Sequence, residues 1–166
     1  MVEFESLFRE SRGKPILYHG ETLLLMDRIP VPERCRLSVV LLSTGSEWPQ
    51  AIRLKTKKGT LISRITGVEA PNMVLWAKDM RELHSYDCLS QSGELLVWNA
   101  WADPRCALEA WTRGAAMRKK ALSPNHFRYR CNDGHVNDDF TDIIFDLILE
   151  ERPRSGDHPR PRSGSI

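Results

Sequence analysis

The chain has no long apolar run, no strong charge of either sign and no closely spaced cysteines. No stretch approaches the roughly 18–20 consecutive apolar residues that a membrane-spanning helix needs, so no membrane partner is expected. Met1 to Arg9 carries acids where a signal peptide carries basic residues. The expectation is a cytoplasmic or non-classically exported protein without a signal peptide. Lys and Arg number 24 against 22 Asp and Glu, a net charge of +2. That balance sets up no field strong enough to gather nucleic acid. The four cysteines, Cys35, Cys88, Cys106 and Cys131, include no CxxC pair, which removes the common zinc-staple and redox motifs; buried free thiols are expected. A nucleophile elbow, a glycine-rich phosphate loop and HExxH are also missing. His19 and His84 therefore read as structural or solvent-exposed residues, not as parts of a catalytic dyad.

What remains is an ordinary globular composition. The 166 residues are 41% apolar and 28% charged, enough to bury a core without staples. They suit one domain over 1–150 with a tail over 151–166, where Pro, Arg, Ser and Gly displace apolar residues and predict disorder. Short strand-like runs follow one another with frequent turn signals. Ile16–Tyr18 and Thr22–Asp27 predict a hairpin about His19-Gly20. Arg36–Ser43 reads as a buried strand. Residues 51–56 and 60–66 alternate apolar and polar about Lys57-Lys58-Gly59 and predict a second hairpin. Further strands are expected near 73–76, 86–89, 94–101, 126–131 and 143–149. Residues 107–122 fit a helix or a pair of short strands. Phe4, Leu7 and Phe8 fit a short helix or an edge strand. The fold class that follows is mainly β, an antiparallel β-sandwich, jelly-roll-like, with at most one or two short helices.

Chemistry concentrates between Asn132 and Asp142, where four Asp and two Asn fall within eleven residues just before an apolar strand. Calcium takes about six to eight oxygen ligands from carboxylates, Asn carbonyls and backbone. Asp133, Asn137, Asp138, Asp139 and Asp142 offer several from one tight loop, and a cation relieves their mutual repulsion. The spacing is not that of an EF-hand, and the loop enters a strand instead of a helix. The plain alternative is a surface turn in which Asn and Asp cap backbone groups.

The run Asn137-Asp138-Asp139-Phe140-Thr141-Asp142, leading into Ile143-Ile144-Phe145, resembles the acidic-loop-then-strand ending of small bacterial calcium-dependent lectins that bind fucose and mannose. It is similar as well to the Asp-x-Asp-Phe-Asn-Asp runs of other β-sandwich domains. Asp139 and Asp142 match the final two Asp, and Phe140 matches the aromatic. Asp138 takes the variable place, Asn137 stands for the first Asp, and Thr141 stands where those families have Asn. The match covers roughly a tenth of the chain. It implies calcium as cofactor and a glycan or small sugar as ligand, in a non-enzymatic protein.

Five Trp add a second candidate set. Pyranose rings stack on aromatic faces while Asn and Asp bind hydroxyls, so Trp98, Asn99, Trp101, Asp103 and Trp111 form a candidate sugar platform. Strand alternation puts Trp98 and Trp101 on opposite faces, one in the core and one more exposed. Cys131 and His135, with His126 and Asp133, make a zinc set with no second tight pair. Asp138 and Asp142 would be the acid and base of a hydrolase. The competing non-enzymatic reading is a β-sandwich that binds a protein partner, with the acidic loop a structural turn and no metal; a homo-oligomer is compatible with either reading.

Overall fold

Alternating apolar residues give each strand one face to bury, and two such sheets bury those faces against each other. The computed structural model describes residues 3–80, 83–105 and 107–151. Cys106 and the tail from 152 onward lie outside the described residues. One helix, α1 (Glu5–Glu10), precedes β1 (Ile16–Tyr18), β2 (Glu21–Leu23), β3 (Asp27–Pro30) and β4 (Arg34–Thr44). Then come β5 (Gln50–Thr56), β6 (Gly59–Ser63), β7 (Glu69–Ala70), β8 (Asn72–Trp76) and β9 (His84–Ser90). The chain continues through β10 (Glu94–Ala102), β11 (Leu108–Glu109), β12 (Ala116–Ser123), β13 (His126–Asn132) and β14 (Ile143–Glu151). Strand pairing is antiparallel throughout the sandwich.

A seven-stranded sheet runs β12-β13-β14-β4-β9-β6-β7, and a five-stranded sheet runs β11-β10-β5-β8 with β3 also on β10. Their inner faces share one core. It takes Ile52, Leu54, Leu95 and Val97 from the smaller sheet and Leu37, Val39, Tyr129, Phe145 and Leu147 from the larger. Each such side chain contributes roughly 1.5–3 kcal/mol by leaving water. A second, smaller core joins Phe4 and Phe8 around α1 to Leu23, Ala116 and Phe140. The helix carries Glu5 in its first turn and Arg9 in its last, the sense that suits its dipole.

Two buried polar links tie the sheets. The Tyr129 hydroxyl on β13 donates to Asp27 on β3 at 2.6 Å. Asn99 Nδ2 on β10 donates to the Asn132 carbonyl at the end of β13 at 2.9 Å.

The hairpin expected at 16–27 forms as β1 and β2. The one expected at 51–66 does not. β5 pairs with β10 and β8, whereas β6 pairs with β9 and β7. Residues Lys57 and Lys58 carry the chain from one sheet to the other, Lys58 with a positive φ of 52°. Alternation fixes which face of a strand is buried and leaves open which neighbour it joins. Across 107–122 the strand alternative holds, as β11 and β12.

Candidate functional site at the loop end

β4 and β10 end, and β5 and β14 begin, at the same end of the sandwich, because Trp101 lies opposite Gln50 and Ile143 opposite Thr44. Loops 45–49, 110–115 and 133–142 therefore converge there. They touch backbone to backbone. A Cβ on Gly114 would lie 2.0 Å from the His135 carbonyl oxygen, and one on Gly45 would lie 2.6 Å from that of Thr141. No side chain fits either place.

Asp133 is the hub. It is fully buried, and both carboxylate oxygens are engaged. Oδ2 accepts from the Ser46 hydroxyl and, at 3.0 Å, from Gln50 Nε2. Oδ1 accepts the His135 main-chain N–H at 2.9 Å and lies 2.8 Å from His135 Nδ1. Burial pushes this carboxyl up, but the hydrogen bonds from Ser46 and His135 outweigh burial and hold it below the usual range. Asp142, 3% exposed, accepts the Asp133 main-chain N–H at 2.8 Å. Burial first, and then the Asp133 charge, push its carboxyl up to about 6.

His135 sits half-buried at the surface. Its Nε2 lies 3.3 Å from Glu47, and its ring stacks on Trp48 with centroids 3.7 Å apart. Burial lowers its basicity, but Asp133 and Glu47 outweigh that, and the imidazole titrates above its ordinary value.

The rest of the loop is held by Asn132. Its Nδ2 donates to the Asn137 carbonyl at 3.0 Å, and its Oδ1 accepts the Phe140 N–H at 2.7 Å. That clamp keeps Phe140 at a φ of 58°, unusual for a bulky residue. The turn drives the Phe140 ring into the core around α1, 6.1 Å from Phe4 and beneath the Arg118 guanidinium. Asp139 Oδ1 accepts the Thr141 N–H at 3.2 Å. Asn137, Asp138 and Asp139 are exposed.

The five loop residues expected as calcium ligands thus divide. Asp133 and Asp142 turn inward and already carry protein hydrogen bonds; Asn137, Asp138 and Asp139 face outward. Among the described residues no group of three or more His, Cys, Asp or Glu is arranged to hold a metal ion. Asp138 and Asp142, the hydrolase pair, lie on opposite sides of this division. For the zinc set, Cys131 faces the core, while His126 lies on the outer sheet face, its Nε2 2.8 Å from Asp146.

The aromatic set disperses as well. Trp101 is 1% exposed, on the inner face with Asn99. Trp98 is 4% exposed on the outer face, because Trp111 covers it with ring centroids 5.3 Å apart. Both are therefore buried, and only Trp111, at 42%, presents a ring to solvent. Asp103 folds its own loop, accepting from the main-chain N–H of Arg105 and of Ala107.

Ser46, Trp48 and Gln50 were not legible as site residues. They lie more than eighty positions from Asp133, and no local motif marks them. The local signal was the clustering of acids itself, which includes Asp133 and Asp142.

A second feature is an apolar groove of about 260 Å³ on the open side of the sandwich. It lies between the turn after β6 and edge strand β8. Ile65, Val68, Met73, Val74, Trp76 and Met80 line it, with His84 and Asp79 among its polar groups. Ile65 and Val68 are 61% and 57% exposed. No helix of the described residues is long and apolar enough to cross a membrane.

No family model, no curated protein and no solved structure matches the chain.

Proposed function

We propose that the chain is a non-enzymatic β-sandwich module that binds an extended apolar segment of a partner protein in the groove beside β8, the acidic loop acting as a structural turn. The observation that carries this reading is the exposed aliphatic lining of that groove along a sheet edge. Edge strands have unpaired main-chain N–H and C=O groups, which an extended segment can satisfy while alternate side chains enter a pocket. Exposed aliphatic patches rimmed by polar groups mark interaction sites. The inward engagement of Asp133 and Asp142 supports the structural role of the loop.

The test is selection of a displayed random peptide library on the folded protein. Extended apolar peptides should be enriched, and their binding should survive a chelator. It should weaken about tenfold or more in Ile65→Glu and Val74→Glu, variants at exposed positions that leave the melting temperature unchanged. Failure to enrich any such peptide, or equal binding by both variants, overturns the reading.

A second reading keeps calcium and a sugar. It is supported by the exposed oxygens of Asn137, Asp138 and Asp139 at the same loop end as the Trp48–His135 stack and Glu47. Where calcium binds, it would coordinate vicinal sugar hydroxyls. A glycan array run with calcium and with chelator separates the two readings: chelator-sensitive glycan binding supports the second and is not expected from the first.

A further inference from the structure

We propose that Cys35 and Cys88 are a modification site, a cross-strand pair that closes to a disulfide when the chain meets a low-molecular-weight disulfide oxidant. Cys35 on β4 lies directly opposite Cys88 on β9. Directly opposed residues of an antiparallel pair have Cα atoms about 4.5–5.5 Å apart, inside the span of about 4.4–6.8 Å that a disulfide bridges. Both side chains face the core and are buried, and both are free thiols. Cys131, the other described cysteine, lies on β13 opposite Ile143 and Met117 and has no cysteine across from it.

The two thiols are not equivalent. Cys88 donates its S–H to Cys35, which draws the Cys35 thiol below its ordinary range against the opposing effects of burial and Asp87. The same hydrogen bond, and then burial, hold the Cys88 thiol up. Cys35 is therefore the attacking sulfur, since the thiolate is the nucleophile.

The exchange balances in two steps. Cys35 thiolate, its proton lost to water, attacks one sulfur of the oxidant. A mixed disulfide forms and one small thiolate leaves. Cys88 then loses its proton and attacks the Cys35 sulfur, expelling the second small thiolate. Two protein thiols become one disulfide, one small disulfide becomes two thiols, and the two released protons go to the leaving thiolates.

Access requires local opening. Cys35–Cys88 is one rung inside the Arg34–Leu89 end of the β4–β9 register, beyond which the Ser90 N–H still donates to the Glu33 carbonyl, and β6 and β14 flank the pair. Strand ends open at far lower cost than the whole fold. The closed link encircles the segment carrying β5, β6, β7 and β8, and so restrains the partner strand of β10 and the groove edge from one point.

The test uses the full chain, purified with reductant and then split between oxidised glutathione and dithiothreitol. Intact mass, a non-reducing peptide map and the melting temperature are measured on each. The expected result is loss of two hydrogens, a mapped Cys35–Cys88 link, and a melting temperature higher by roughly 5–10 °C, reversed by dithiothreitol. In Cys88→Ala the peptide map should show Cys35 as free thiol or as a glutathione mixed disulfide, with no link to another cysteine, and the melting temperature should show no such rise. The proposal is overturned if the wild type forms no link, if the map joins other cysteines, or if the link forms with no gain in melting temperature. The first two outcomes are read on the wild type and hold even if the variant folds poorly.

Discussion

The Asp142 carboxylate accepts the main-chain N–H of Asp133 at 2.8 Å, while the Asp133 side chain gathers donors from the neighbouring loop and from His135. Two acids nine positions apart on one loop thus stand in opposite electrostatic conditions. Asp133 has several donors of its own and is held ionised. Asp142 is buried beside that charge and is pushed toward its neutral form.

That contrast gives Asp142 a definite pH dependence. Its carboxyl titrates at about 6 in the folded chain, against about 3.9 in an unfolded one. A raised folded pKa means stability that is fully present below the unfolded value and lost as pH rises through about 6. Asparagine mimics the neutral acid and keeps an oxygen for the Asp133 N–H. Asp142→Asn should match the wild type near pH 4 and exceed it by roughly 1–3 kcal/mol at pH 7.5. Urea melts at the two pH values check this; a variant less stable than the wild type at pH 7.5 would refute it.

Asp133→Asn should behave in the opposite sense. Its folded carboxyl lies below the usual range, so its contribution is present above the unfolded value and lost as pH falls through the folded one. An amide at this place turns an NH₂ toward donors that need an acceptor, leaving at least one of them unpaired. The expected loss is roughly 2–4 kcal/mol at pH 7, smaller in acid. Denaturant titration at pH 7 and below the carboxylate range measures both.

Gly114→Ala tests the convergence of the loops without touching a charged group. The added Cβ would meet the His135 carbonyl oxygen at 2.0 Å, a main-chain atom that cannot swing aside. Overpacking of this kind costs about 1–3 kcal/mol. The Trp48–His135 stack should loosen with it, visible as changed tryptophan fluorescence in the folded protein. An alanine variant with unchanged stability and emission would show that the loops do not meet there.

How far the sequence foretold this arrangement differed from residue to residue. Signals carried within a few positions were legible: the β1–β2 hairpin about His19-Gly20, the run that became β14, and the clustering of acids before it. Strand partners were not, since alternation in β5 and β6 describes faces and is blind to pairing. Asn99 and Trp101 read as polar and aromatic ligand contacts, yet both face inward, Asn99 tying β10 to Asn132. Trp98 was expected to differ in burial from Trp101 and does not, because Trp111 reaches over it. The donors to Asp133 come from Ser46 and Gln50, in a distant loop, so whether its acidity would be turned inward or outward depended on contacts that only the fold creates.

The exposed acids offer a simple control. Asp138→Ala removes a side chain that faces solvent and should change stability by within about 0.5 kcal/mol, while Asp139→Ala also removes the acceptor of the Thr141 N–H and should cost up to about 1 kcal/mol. Thermal melts without added metal read this directly. A large loss in either variant would mean that the outer half of the loop is itself structural.

The most direct measurement of whether the acidic loop is an internal support or a cation site is the melting temperature of the wild type and Asp142→Asn at pH 7.5, with and without millimolar calcium. An internal support predicts that Asp142→Asn melts above the wild type and that calcium moves neither protein. A rise in the wild type on adding calcium, lost in Asp142→Asn together with a lower melting temperature for that variant, would contradict it and establish Asp142 as a ligand.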